Sequence, residues 1–388
     1  MTDTSKPNNP SEPSKPITVD RNLLDAAVQQ ARKGSKKVVM FVPATKPCFY
    51  KMWSLVQEAE RQGLPHIILD SAQHYDALVG HGMVEFGLRE KTAINLNLRG
   101  DLSQKSAELF TKMKDVALLL KKAYPDMTFT PYVNGDTLTA GILPAAWMFA
   151  TNTLSIQGEA GLRGMTPSSF RDLKKWAKQG IDVAAFVKEQ WDGPWTLMRE
   201  EPFPEQWDTY VSAAGCHTHF APVDLNRQHL VREGYAEDSI HIVGNTVVDA
   251  LALKKKEKAE QSIFDDYPSL EEGSWLRVDI HRRGNLQPGR FKAIIEGVEQ
   301  LVKKGHRICM VELTGTHRAI DHYGYRKRLQ QLAETKDNFL ITPLWKEYGQ
   351  VIEFLTSRHC QAILTDSGSM QEEANELGVP CLTARFNT

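Results

Sequence analysis

A chain of 388 residues with 47 Lys and Arg against 48 Asp and Glu carries a formal net charge of −1. That length supplies core for two or three domains, and the balanced charge gives no footprint for nucleic acid or a membrane surface as partner. The five cysteines (Cys48, Cys216, Cys309, Cys360 and Cys381) are scattered and form no C-x-x-C, which fits a reducing cytoplasm and not a disulfide scaffold or a zinc site.

Residues 1–17, rich in Pro, Ser, Thr and Asn, read as a disordered tail without an apolar signal core. An amphipathic helix is expected over 21–33, with Leu23, Leu24, Ala27 and Ala31 on one face. The run Val38-Val39-Met40-Phe41-Val42 marks a strand over 36–42, of the kind buried in parallel sheets. A helix over 49–62 stops at Gly63, and a strand over 66–69 follows. Next come a helix over 102–122 and a strand over 127–133 that ends on Asn134-Gly135-Asp136-Thr137. A buried helix over 140–149 with Pro144 as a kink, and a strand over 153–156, complete this series. The apolar stretch 141–156 is broken by Pro144, Thr151, Asn152 and Thr153, so it does not span a bilayer. Strands alternating with helices make a doubly wound parallel sheet, whose ligands sit at the carboxyl ends of the strands.

Residues 168–199 interrupt this rhythm with helical patterns over 169–179 and 183–190 and with Trp176, Trp191 and Trp195. The sheet is expected to resume over 209–220, with a further strand over 240–243 before Gly244-Asn245-Thr246. Charged residues 254–272 read as a solvated helix and loop where a second domain begins. The α/β pattern then repeats: strand 275–280, helix 290–304, strand 307–313, helix 325–334, strand 339–342, helix 350–357. The last segment is a strand over 362–364, a turn at Asp366-Ser367-Gly368-Ser369, a helix carrying Glu372 and Glu373, Gly378, and a strand at Val379-Pro380-Cys381-Leu382. The fold class is therefore α/β: two Rossmann-like doubly wound domains, 18–246 and 247–388, facing a central cleft, with an insertion over 165–203.

Four clusters carry chemistry. Asn134-Gly135-Asp136-Thr137 puts a carboxylate and a hydroxyl at a strand end, although Asn-Gly-Asp is also plain turn chemistry. Glu159 and Arg163 share the glycine-bearing loop Gln157-Gly158-Glu159-Ala160-Gly161-Leu162-Arg163, either as a proton-exchanging carboxylate with its cation or as a surface ion pair. His281-Arg282-Arg283 suits a diphosphate, which guanidinium groups grip with paired charge-assisted hydrogen bonds; an exposed basic turn is the alternative. The turn at Ser367-Gly368 aims backbone N–H groups and a helix N-terminus at one point, as anion sites do and as ordinary β-α connections also do. Lys46 and Lys51 flank the first strand-to-helix junction, as further positive charge for the cleft or as surface lysines. No dinucleotide, Walker, G-x-S-x-G or metal-ligand motif occurs, so neither a metal nor a cofactor is expected.

Taken in order, several segments carry a likeness. They are Ala44-Thr45-Lys46-Pro47 with Lys51, Ala72-Gln73-His74-Tyr75-Asp76, Gly135-Asp136-Thr137, Glu159-Ala160-Gly161-Leu162-Arg163 and Pro204-Glu205. They continue through Phe220-Ala221-Pro222, Gly244-Asn245-Thr246, His281-Arg282-Arg283 and Asp366-Ser367-Gly368 with Gln371-Glu372-Glu373-Ala374. The chain resembles the non-hydrolysing UDP-N-acetylglucosamine 2-epimerases, whose two-domain fold is shared with GT-B glycosyltransferases. The resemblance implies anti-elimination of UDP from UDP-GlcNAc and re-addition on the other face to give UDP-ManNAc, a precursor for cell-surface polysaccharide, in a cytoplasmic homodimer without metal or nicotinamide. It implies Asp136, Glu159 and Glu205 as acid–base groups and His281 at the diphosphate. Lys46, Lys51, Gln73, His74, Arg163 and Arg282 would bind substrate, Ser367 and Gly368 phosphate oxygens, and Glu373 the ribose.

The chain also departs from the family pattern. Lys46 stands for an arginine, Gln157-Gly158 precede Glu159 where the family has H-V, and Gly284 replaces the glutamate of H-R-R-E-N. The P-E-E-x-N-R segment reads Pro204-Glu205-Gln206-Trp207-Asp208-Thr209, so Thr209 replaces an arginine. About thirty extra residues separate Arg163 from Pro204, as loops tolerate. The family's E-R-P-E segment would follow Thr388, so the C-terminal domain is expected to be incomplete. Two other functions fit the same features: a GT-B glycosyltransferase using a UDP-sugar, and a non-catalytic UDP-sugar-binding protein.

Overall fold

The computed structural model describes residues 14–73, 82–167, 180, 182–199, 204–257, 259–385 and 387, which divide into two compact units, one ending at Thr246 and one beginning at Val247. The predicted helix over 169–179 with Trp176, and His74, lie outside the described residues.

The N-terminal unit is built on β2 (Lys37–Val42), the apolar run read from sequence, with β5 (Thr128–Asn134) on one side and β3 (His66–Asp70) on the other. The sheet extends from β5 through β6 (Ser155–Gly158), β9 (Cys216–Ala221) and β10 (Ile240–Ile242), all parallel. Beyond β3 it continues through parallel β4 (Thr92–Asn95) to a short antiparallel edge strand, β1 (Thr18–Val19). Chain order runs outward in both directions from the β2–β5 pair, so that pair is the topological switch point where ligands bind in such sheets.

Helices cover the sheet as capping chemistry directs. Asp20 caps Arg21–Arg32 through its side chain, and Asp101 with Gln104 forms a capping box on Leu102–Ala123. Helix Leu138–Thr151 is apolar on nearly all faces and buries nine of its residues, including Pro144. One core cluster joins Leu24, Met40, Leu69, Leu109, Val133 and Leu143.

One reading needs correction, and two segments gain detail. Residues 209–214 are not strand: helix Glu205–Ala214 runs through them and buries Gln206, Asp208, Thr209, Ser212 and Ala213, a 3–4 spacing that tertiary packing imposes on β-favouring Thr209-Tyr210-Val211. The charged stretch 254–272 holds a short helix (Ile263–Asp266) and a 3-10 turn (Pro268–Glu271), anchored by fully buried Ile263 and Leu270. In the insertion, β7 (Met165–Pro167) and β8 (Trp195–Leu197) pair antiparallel apart from the main sheet. Helices Asp224–Arg232 and Thr314–His322, which hold few apolar residues, are further elements that the sequence reading did not include.

The C-terminal unit has five parallel strands in the order β13 (Phe339–Pro343), β12 (Arg307–Glu312), β11 (Trp275–Asp279), β14 (Cys360–Thr365) and β15 (Cys381–Thr383). Its switch point is the β11–β14 pair. Phe291, Ile295, Val298, Ile308 and Met310 fill its core.

Helices Leu138–Thr151 and Glu205–Ala214 pack tightly because glycine sits where they meet. A methyl group on Gly215 would lie 2.6 Å from Pro144 Cβ and 2.8 Å from its backbone carbonyl carbon. Gly215→Ala is therefore expected to destabilise the N-terminal unit by about 1–3 kcal/mol through overpacking. Gly297 lies mid-helix, and a methyl group added there would meet nothing within 4 Å. Gly297→Ala should therefore gain about 0.5–1 kcal/mol. Denaturant midpoints of the two variants check both signs.

Candidate active site

At the switch point of the N-terminal unit, β2 leads through Thr45 into helix Lys46–Gln62, β5 ends on Asn134, and β6 ends beside Glu159. Lys51, one turn into that helix, reaches Glu159 in an ion pair whose side chains are 7% and 5% exposed. Glu159 also accepts from Asn134 Nδ2 at 3.0 Å and from Asn245 Nδ2 at 2.9 Å. Its φ of 52° is in the left-handed region that non-glycine residues rarely adopt, a strain offset by the contacts that hold the loop. Gly135, at φ 82°, comes so close that a methyl group there would lie 3.3 Å from Glu159 Oε2. Cys48 is buried against the same strand end, its Sγ 3.7 Å from Asn134 O, and burial raises its thiol pKa.

The loop after Glu159 is fixed by helix Asp224–Arg232. Asn226 Nδ2 donates to Gly161 O at 3.2 Å, and His229 Nδ1 lies 3.0 Å from the same oxygen. Gly161, at φ 77°, is required because a methyl group would lie 2.2 Å from Asn226 O. Arg163 does not pair with Glu159. Its fully buried guanidinium makes two 2.7 Å hydrogen bonds to Glu233 and lies 4.1 Å from the centre of the Tyr210 ring.

Asp136 and Glu205 are half-buried. Asp136 stands just before Thr137, which caps helix Leu138–Thr151 through Ala140 N at 3.2 Å; Glu205 opens helix Glu205–Ala214. Gln73 is buried with its Oε1 accepting from Thr139 N at 2.9 Å and Thr139 Oγ1 at 2.8 Å, so it braces that helix. Lys46 opens helix Lys46–Gln62. Thr209, at the family's arginine position, turns its hydroxyl to Gln206 O at 2.9 Å.

In the C-terminal unit one carboxylate organises the switch point. Asp366, fully buried after β14, accepts from His281 N at 3.0 Å, Arg282 N at 3.0 Å and Asn285 Nδ2 at 2.9 Å, and lies 3.1 Å from His281 Nδ1. Burial alone would raise the Asp366 pKa, but the bonds and charge of His281, with Asn285, hold it below the ordinary carboxylate value. Arg282 Nε donates back to Asp366 O at 3.0 Å, which turns its guanidinium toward the next helix. That helix, Gly368–Leu377, is capped by Ser367 Oγ through Met370 N at 3.4 Å. A methyl group on Gly368 would lie 3.7 Å from Arg282 Nη2 and 3.9 Å from Arg385 Nη1. Two guanidinium groups thus flank a glycine at a helix N-terminus, an arrangement suited to phosphate. Glu373 is buried on the same helix.

The structure therefore brings Lys51 and Glu159 together, and His281, Arg282, Ser367 and Gly368 together, while Arg163 and Gln73 are engaged in bracing. Sequence reading missed Asn134, Asn245, Asn285, Asp366 and Arg385 as site residues. All but Arg385 stood inside segments already singled out, so their polar character within those motifs was the available signal. Among the described residues there is no cluster able to hold a metal ion and no helix long and apolar enough to cross a membrane.

Known proteins share this architecture. The chain is 28% identical over 365 residues to the UDP-N-acetylglucosamine 2-epimerase of Bacillus subtilis, covering 91% of this chain and 80% of the relative. It is 24% identical over 357 residues to the enzyme of the same name from Methanocaldococcus jannaschii, covering 89% and 82%. The crystal structure of that M. jannaschii epimerase in complex with UDP-GlcNAc and UDP, at 24% identity, has the same fold, with a TM-score of 0.69 over 91% of this chain and 84% of the other. The two α/β units are therefore of the GT-B-like kind. Residues 196–388, which span β8 to the C-terminal unit's switch point and beyond, match the family model described as UDP-N-acetylglucosamine 2-epimerase.

Proposed function

We propose that the protein interconverts UDP-N-acetylglucosamine and UDP-N-acetylmannosamine by eliminating UDP and adding it back. The observation that carries this reading is the Asp366-centred cradle, in which one buried carboxylate fixes the His281-Arg282 backbone while Arg282 and Arg385 flank Gly368. Such fixed cations and helix N–H groups hold a diphosphate and stabilise the charge it gains on leaving. On this reading Ser367 and Gly368 meet phosphate oxygens, Glu373 meets the ribose, and His281 protonates or clamps the departing oxygen.

The N-terminal unit supplies the proton chemistry. A base among Asp136, Glu159 and Glu205 takes the proton on C2; the C1–O bond breaks and its electron pair leaves with the β-phosphate oxygen. The 2-acetamidoglucal is then reprotonated at C2 on the opposite face as UDP re-adds at C1. Lys51 holds Glu159 in place. Lys46 and His74 take substrate-binding roles by family position, and Gln73 and Arg163 support the site by bracing it. We propose a cytoplasmic homodimer as the working form. The family relationship favours this reaction over glycosyl transfer.

Full-length protein incubated with UDP-GlcNAc in D2O should show deuterium entering C2 and UDP-ManNAc appearing by NMR. Exchange with none of the UDP-sugars offered would sink the proposal; sugar transfer to an acceptor without change at C2 would mark a glycosyltransferase, and tight binding alone a binding protein. Separately, Arg282→Ala and Arg385→Ala should each weaken UDP binding about 10- to 100-fold, the loss expected for charged hydrogen bonds worth about 1.5–3 kcal/mol. An unchanged Kd by calorimetry in either variant would remove that arginine from the site.

A further inference from the structure

One carboxyl group of the N-terminal unit has no part in that scheme. Asp208 is 1% exposed, and its Oδ1 is buried with no hydrogen-bond partner among the described residues. A methyl group on Gly141 would lie 2.7 Å from that oxygen and 3.1 Å from Asp208 Cα, so glycine at 141 is what admits the side chain. Gly141 is in the first turn of the helix that follows Asp136, and Asp208 is in the first turn of the helix that begins at Glu205. Packing these two helix starts together gathers three carboxyl groups at one corner.

The surroundings offer Asp208 little charge compensation. Helix Leu138–Thr151 has no titratable side chain. Strand β9 brings the Cys216 thiol, raised by burial, and His219, which burial lowers to about 4 and so keeps neutral. Its own helix brings Glu205 and, where the family pattern has arginine, uncharged Thr209. An ionised carboxylate with an unpaired buried oxygen is costly, whereas the neutral acid avoids most of that cost. Burial first, then the charges of Asp136 and Glu205, push Asp208 up to about 8.

We propose that Asp208 is held as a neutral carboxylic acid and is a positioning residue for Asp136 and Glu205, keeping a third negative charge out of the corner where they act. This rests on the reading of those two as acid–base groups. When Asp208 ionises, the added charge perturbs both carboxyl groups and repels an anionic sugar nucleotide, so turnover acquires an alkaline limb. A neutral amide of the same shape does the same positioning without that limb.

The sign for stability follows. The Asp208 pKa is raised in the folded chain, so the folded state retains a proton that the unfolded chain gives up near the usual aspartate value of about 4. Stability relative to Asp208→Asn is therefore highest below about pH 4 and declines as pH rises toward about 8. Thermal unfolding of the two full-length proteins across this window should show the gap in Tm shifting steadily in favour of Asp208→Asn. C2 exchange should fall above about pH 8 in the wild type but not in Asp208→Asn. Carbon-13 NMR of aspartate-labelled protein reads the same proton directly, and should show a carboxyl titrating near 8 in the wild type that is missing from Asp208→Asn. Parallel Tm profiles, an alkaline limb that persists in Asp208→Asn, or no aspartate titrating in that range would each overturn the proposal. Absence of C2 exchange in the wild type would instead count against the epimerase reading, leaving the Tm and NMR results to decide the protonation of Asp208.

Discussion

A lysine and a glutamate, both removed from water, are the constraint on which the N-terminal site depends. Coulomb attraction offsets the desolvation of a buried pair only when geometry is good and the remaining lone pairs are satisfied, and removing one partner typically costs about 3–5 kcal/mol. Glu159 meets those conditions with Lys51 on one oxygen, Asn134 on the other, and Asn245 as a third donor. One carboxylate thereby ties the first helix after β2, the end of β5 and the segment after β10. The left-handed backbone at Glu159 and the glycine at 135 follow from this. The loops meet so closely around the carboxylate that a methyl group at Gly135 would crowd it.

The C-terminal unit reaches a similar solution with Asp366. A buried carboxylate after the strand at the switch point accepts the backbone N–H groups that follow the neighbouring strand and so anchors the His281-Arg282 loop. The two carboxylates differ in what they leave over. Glu159 neutralises its lysine, whereas Asp366 directs its lone pairs largely to neutral donors and to His281, and the guanidinium groups of Arg282 and Arg385 stand beside Gly368. The first arrangement is a near-neutral scaffold for proton-exchanging groups, and the second is a cationic seat.

Much of this was legible from the chain. The apolar runs of β2, β5, β11 and β14 announced parallel strands, and each ended in a polar cluster where a switch point requires one. What could not be read were pairings set by distant residues. Arg163 faces Glu233, seventy positions away, instead of Glu159 on its own loop. Asp366 looked like turn chemistry because its partners lie 81 to 85 positions earlier. Thr209-Tyr210-Val211 has local strand preference, yet the packing of Gly215 and Asp208 against helix Leu138–Thr151 makes that segment helical.

The same packing bears on how a departure from the family pattern is tolerated. A corner holding several carboxyl groups needs either a cation or a proton if it is to lie near an anionic substrate without repelling it. Arginine supplies the first and is insensitive to pH; a carboxyl group in an apolar setting supplies the second and responds to pH. With Thr209 turned to its own helix backbone, no guanidinium comes from that position. Beside Thr209 on the buried face, the same helix offers Gln206 and Asp208, and only Asp208 can carry a proton whose retention its neighbours favour. The arginine position holds neutral Thr209, and a proton on Asp208 keeps a third negative charge out of the corner while tying its state to pH.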